Sequence, residues 1–205
     1  MERREHWENI HATKASDEVS WFEVNPQISF DLIESVSPER GSVIDVGGGQ
    51  SFLVDKLLSA GYERVAVLDI SSAALESTKE RLAEQAGGVA WIHADVTKAT
   101  DLGTFDVWHD RAVFHFLTDD SDRRAYVDRL TQTLPIGGHF VIGTFGIGGP
   151  EKCSGLEIRQ YDAEIMQATL GSHFELVRTL DHVHVTPADK EQEFFFGVFR
   201  RSQTQ

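Results

Sequence analysis

Val43-Ile44-Asp45-Val46-Gly47-Gly48-Gly49-Gln50-Ser51 decides the fold of this 205-residue chain. A short apolar run of the kind found in buried strands stops at three consecutive glycines. Residues 51–60 then read as a helix, with Phe52, Leu53, Leu57 and Leu58 on one face and Gly61 ending it. A second buried-type strand, 65–68, runs into Asp69. Ser71 or Ser72 is placed to cap a helix that reaches about Gln85. The alternation continues with strands at 89–93, ending near Asp95, and 105–109, ending at Asp110. A helix at 120–134 and a strand at 139–144 follow, then a glycine-rich loop at 146–150 and a helix at 162–170. Two long strand-like runs, 174–186 and 191–201, have only a short connection between them and should form a hairpin. Strands alternating with helices imply an α/β fold: a mostly parallel sheet covered on both faces, to which the hairpin adds an antiparallel strand. The first 40 residues carry helical segments at 2–10 and 27–36, which must pack on the sheet or over its site.

In such a sheet, ligands bind beyond the carboxyl ends of the strands. Here those ends carry Asp45, Asp69, Asp95 and Asp110. Aspartate also favours turns and helix caps, so each one alone has a bland explanation, but four in succession are harder to dismiss. The glycine bend lets backbone approach a ligand closely. It does not fit the dinucleotide pattern G-x-G-x-x-G, because the sixth position is Phe52 counted from Gly47 and Leu53 counted from Gly48. An acid just before the glycines suits a cationic group better than a diphosphate. Asp69, 24 residues after Asp45, suits hydrogen bonds from ribose hydroxyls. The residues therefore suggest a nucleoside with cationic character and no phosphate, a description that S-adenosyl-L-methionine meets.

The net charge of −14 excludes most phosphate-backbone and anionic-lipid partners, since no basic run exceeds two residues. It leaves a basic protein partner open. One cysteine, Cys153, precludes an internal disulfide and a cysteine metal cage. No apolar run is long enough to span a bilayer and the N-terminus lacks a signal-like apolar stretch, so a cytoplasmic location is expected.

The stretch 43–51 resembles the first motif of the class I S-adenosylmethionine-dependent methyltransferases, D-x-G-x-G-x-G in form, with Ser51 where the third glycine usually sits. Asp69 matches the family's ribose-binding acid, and Ile70 the apolar residue beside the adenine. Asp95-Val96 matches the pair that reads the adenine, and Asp110-Arg111 the motif after the fourth strand, which faces methionine and substrate. Thr133-Leu134-Pro135-Ile136-Gly137-Gly138 is similar to the family's turn before strand five, with proline one position early. The resemblance implies a Rossmann-like seven-stranded sheet in a single domain (1–205), with a helical lid segment at 1–40 and the core at 41–201. It implies S-adenosyl-L-methionine as cofactor and S-adenosyl-L-homocysteine as product. Cofactor contacts would come from Trp21, Asp45, Gly47, Gly48, Gly49, Ser51, Asp69, Ile70, Asp95, Val96 and Asp110.

His115, five residues past Asp110, is a candidate proton acceptor by placement and ordinary pKa, with Asp110 and Arg111 as its catalytic neighbours. A histidine packed among Phe114, Phe116 and Leu117 is the competing reading. Phe22, Arg159 and Tyr161 are candidate acceptor contacts. Trp21 is either an aromatic anchor or a lid residue placed for a cation–π contact. His182 and His184 share a strand face, but two ligands do not make a metal site, and no metal is expected. The expected acceptor is a small molecule, with a lysine-bearing protein as the alternative. A nicotinamide-dependent oxidoreductase and a non-catalytic nucleoside-binding protein are the remaining readings.

Overall fold

The computed structural model describes residues 3–15 and 18–202. Glu2, where the sequence places the start of the first helix, lies outside them. The elements in chain order begin with helices α1 (Arg3–Thr13) and α2 (Gln27–Val36), then β1 (Val43–Val46), α3 (Leu53–Ser59), β2 (Val65–Asp69) and α4 (Ser72–Leu82). There follow β3 (Val89–His93), β4 (Val107–Arg111), α5 (Asp120–Thr133) and β5 (His139–Phe145). The chain ends with a small hairpin, β6 (Lys152–Cys153) and β7 (Leu156–Glu157), then α6 (Ala163–Leu170), β8 (Phe174–Val185) and β9 (Glu191–Arg201).

Seven strands form one sheet in the order β3-β2-β1-β4-β5-β9-β8. β1 to β5 are mutually parallel, and β9 runs antiparallel to both of its neighbours. The fold is thus the expected Rossmann-like α/β sheet. The antiparallel strand, last in sequence, is second from the edge, between β5 and β8. The order reverses between β2-β1 and β1-β4, which opens a crevice at the carboxyl ends of β1 and β4.

Side-chain alternation along the strands splits the core into two layers. Ile44, Val46, Leu68, Trp108, Phe140 and Ile142 meet Tyr126 and Leu130 of α5 and Met166 of α6 on one face. Val43, Val65, Val67, Val107 and Val141 meet α2, α3 and α4 through Leu32, Ile33, Leu53, Leu57 and Leu75 on the other. Every residue of β1 is buried, which its unbroken apolar run around Asp45 anticipates. Ser71 rather than Ser72 caps α4, accepting from the Ala74 amide at 3.2 Å. Just past the glycine-rich loop that the sequence places at 146–150, the chain folds into the β6–β7 hairpin.

Candidate functional site

A cavity opens at the carboxyl ends of β1, β2, β3 and β4, lined among others by Asp45, Gly47, Gly48, Ser51, Asp69 and Ile70. Its floor is the glycine bend. Gly47 has φ +72, and a Cβ there would lie 2.0 Å from a methyl of Val113. A Cβ on Gly48 would lie 2.3 Å from Asp45 Oδ2. Only glycine lets both residues put bare backbone against the cavity. The bend is braced from behind by α4: the Arg81 guanidinium donates to the Ser51 carbonyl at 2.7 Å and to the Gln50 carbonyl at 3.3 Å. Gly49 turns away from the opening, and its N–H donates to Asp69 Oδ2 at 3.0 Å.

Asp69, last residue of β2, also accepts from the Ser71 amide at 2.8 Å. Burial pushes its carboxyl above the usual range, and the two amides and His11 offset part of this. Asp95 and Val96 line the same half of the cavity, beyond β3. Arg3 of α1 lies 3.7 Å from the Asp95 carboxylate and also pairs with Asp122.

The cavity is roofed by α1 and by the chain before α2. The Glu8 carboxylate accepts from the Ser72 amide and hydroxyl, both at 2.8 Å, and from the Ala73 amide at 3.1 Å, so α1 caps the N-terminus of α4. Trp7 packs edge-on against Trp21 and Phe116, with ring centroids 5.8 and 4.8 Å away. Trp7, His11, Trp21, Phe22 and Phe116 all line the cavity. Of these, sequence reasoning singled out Trp21 and Phe22 and passed over the other three as functional groups. A tryptophan in the charged stretch of α1 was the available signal.

The half beyond β4 is polar and buried. Arg111 donates to the Trp21 carbonyl at 2.7 Å and pairs with Glu23 at 3.0 Å. Burial drives the Glu23 carboxyl up, but the hydrogen bond from His184 and the charges of Arg111, His184 and His182 outweigh it and hold the carboxyl below its ordinary value. His184 Nδ1 lies 3.4 Å from Glu23, and its Nε2 lies 2.9 Å from the Ser20 carbonyl. The paired histidines of β8 therefore sit beside an acid of the site. Cys153, which the sequence leaves without a role, lines this half as well.

Besides Gly49, four residues singled out in the sequence lie outside the cavity lining. The Asp110 carboxylate is fully buried on the face opposite the cavity, accepting from Tyr126 Oη at 2.5 Å and from the Val113 and Phe114 amides at 2.9 and 3.1 Å. Strand β4 runs to Arg111 instead of ending before Asp110, so alternation points His109 and Arg111 toward the cavity and Asp110 away from it. His115 is also fully buried and does not line the cavity. Burial and the Arg111 charge lower its pKa to about 3, so it stays neutral near pH 7. Tyr161 is buried in the core layer with Phe114 and Tyr126. Arg159 lies over the Tyr161 ring and lines a separate surface cleft with Arg123, Arg124 and Asp128. The structure thus does not bring Asp110, His115, Arg159 or Tyr161 into the lining of the cavity.

What the cavity fits follows from its charges. Asp45, Asp69, Asp95 and Glu23 line it, and its two arginines, Arg3 and Arg111, are each paired with an acid, so a diphosphate would sit among carboxylates. The Asp45 Oδ2 atom is buried and unpartnered, which leaves an acceptor for an ammonium group. Asp69 offers a carboxylate to a ribose diol, and Asp95 with Val96 offers an acid and an apolar face to a base. S-adenosyl-L-methionine has these features, and the donor set fits it.

Comparison with known proteins agrees with that chemistry. Residues 43–138 match the sequence model of a family described as methyltransferase domain. A curated relative, the eEF1A lysine and N-terminal methyltransferase of Bos taurus, is 25% identical over 144 residues, covering 67% of this chain and 20% of its own length. The chain thus spans about a fifth of that relative. Among solved structures, one described under the conversion of a disulfide bond into a thioacetal group during echinomycin biosynthesis superposes with a TM-score of 0.80 at 18% identity, covering 100% of this chain and 95% of that one. The N-methyltransferase NodS from Bradyrhizobium japonicum in complex with S-adenosyl-L-homocysteine superposes with a TM-score of 0.74 at 15% identity, over 98% of this chain and all of that one. Residues 43–138 thus match a methyltransferase domain, and the sheet order agrees with the fold of these solved structures.

Proposed function

We propose that the protein is a cytoplasmic S-adenosyl-L-methionine-dependent methyltransferase that acts on a small-molecule acceptor. The observation that carries this reading is the roofed cavity itself. Carboxylates from three strand ends line one side, and α1 with residues 18–26 closes the other, leaving space suited to a compact acceptor. Bound there, S-adenosyl-L-methionine supplies a methyl group on a sulfonium sulfur, already activated for in-line displacement. The chain then has to align and desolvate. Asp69 holds the ribose and Asp95 with Val96 the base. Trp7, Trp21 and Phe116 exclude water from the reacting centre. Arg111 and Glu23 face the acceptor as a mutually neutralised pair, able to bond to a polar group on it without leaving a net charge.

A tritium-labelled methyl donor incubated with a cell extract, divided into a low-mass filtrate and a protein fraction, tests the reading. Label is expected in the filtrate. Label in the protein fraction supports the second reading, a lysine-bearing protein acceptor. That reading is favoured by the net charge of −14, by the name of the Bos taurus relative, and by the attraction such a charge exerts on basic partners.

Trp21→Ala tests the roof. Loss of an aromatic face near a sulfonium is expected to weaken S-adenosyl-L-methionine binding roughly 2–30-fold. The melting temperature should move little, because Trp21 is only half-buried. Calorimetric titration and a thermal melt measure both effects, and equal affinity in variant and parent would remove Trp21 from the account.

A further inference from the structure

Beneath the glycine bend lies a buried chain of three side chains that the proposed reaction does not itself require. Asp45 on β1 and His109 on β4 are register partners on adjacent parallel strands. His109 Nδ1 lies 2.6 Å from Asp45 Oδ1, and its Nε2 lies 2.9 Å from Ser29 Oγ on α2. All three residues are at most 3% exposed and all line the cavity. Nδ1 faces a carboxylate, so it carries the proton and donates. Nε2 then accepts from the Ser29 hydroxyl. Bonds at both nitrogens fix the ring, and the ring fixes one oxygen of Asp45. The other oxygen, Oδ2, has no partner.

We propose that His109, clamped by Ser29, is the positioning residue that holds the Asp45 carboxylate for the ammonium group of an amino-acid-bearing nucleoside. The inference rests on the methyltransferase reading above and deepens it. A histidine oriented from behind that orients a carboxylate in turn is a general way to place a charged ligand partner. The other charged groups facing this pair are Asp69 on β2, which interacts with Asp45, Arg111 on β4, which also interacts with it, and Asp110, which interacts with His109 from the opposite face. Ser29 of α2 is uncharged.

The test titrates the parent protein, His109→Phe, His109→Asn and Ser29→Ala with two ligands. S-adenosyl-L-homocysteine carries the ammonium, and 5′-methylthioadenosine lacks the whole amino-acid part. His109→Phe is expected to weaken S-adenosyl-L-homocysteine roughly 10–100-fold, the range for losing a hydrogen-bonded hold on a charged group, and to leave 5′-methylthioadenosine within about twofold. His109→Asn keeps a donor toward Asp45 and should restore most of the affinity. Ser29→Ala leaves the imidazole in place and should cost roughly 3–10-fold, selectively for the ammonium ligand. It decides the matter if His109→Phe does not fold. Equal loss of both ligands, or no loss of either, overturns the positioning role and leaves the methyltransferase reading standing. A parent that binds neither ligand overturns both.

Discussion

Asp110→Ala is expected to destabilise the fold by about 3–5 kcal/mol, the range for removing one partner of a buried charged network. The carboxylate is the hub of that network. It accepts from Tyr126, whose hydroxyl also accepts from Trp108 Nε1 at 2.8 Å, and it collects the two amides that start the turn after β4. Truncation strands a buried hydroxyl, the buried Phe114 N–H and the partly buried Val113 N–H at once. Chemical denaturation measures the loss, and a change below about 1 kcal/mol would show that these bonds are worth little. The pH dependence carries a sign as well. Burial, only partly offset by the Tyr126 and amide bonds, raises the Asp110 carboxyl to about 6. A folded value above the unfolded one means that the folded state takes the proton more readily. Its contribution is fully present below about pH 4 and is lost as pH rises through about 6. Relative to Asp110→Asn, the parent should therefore gain about 1–3 kcal/mol on acidification across that window.

The second large effect falls on binding. Asp69→Asn should weaken S-adenosyl-L-homocysteine roughly 30–300-fold, about the cost of losing one hydrogen bond to a charged acceptor. An amide in this position can still accept from Ser71 through its oxygen. It must then turn its NH2 group toward the Gly49 N–H, which donates to Asp69 Oδ2 in the parent. The seat of the glycine bend and an acceptor for the ribose are lost together. Because burial raises the Asp69 carboxyl, acid should weaken binding to the parent as well, by protonating the acceptor. A calorimetric Kd for the variant within threefold of the parent would show that the ribose is not held here.

The sheet and its helices were legible in the sequence because apolar runs, glycines and caps are local signals, as 43–51 and Ser71 illustrate. The half of the site built from strand ends, Asp69, Ile70, Asp95 and Val96, was legible for the same reason: each residue follows a recognisable strand. Asp110 reads as lying just past the end of β4, whereas the strand runs through it to Arg111, and inside a strand alternation fixes the face a side chain takes. His115 was misplaced because proximity to a motif says nothing about burial. The Asp45–His109–Ser29 chain was invisible because it joins β1, β4 and α2, which become neighbours only once the strand order is fixed. Glu8 was missed on similar grounds: its partners, Ser72 and Ala73, are more than 60 residues away in sequence.

The account stands or falls on which ligand this cleft takes. Calorimetric titration of the unmodified protein with S-adenosyl-L-homocysteine, repeated in excess NAD, addresses that directly. The prediction is one saturable site whose affinity NAD leaves unchanged. Absence of binding, or displacement of S-adenosyl-L-homocysteine by the dinucleotide, would contradict it.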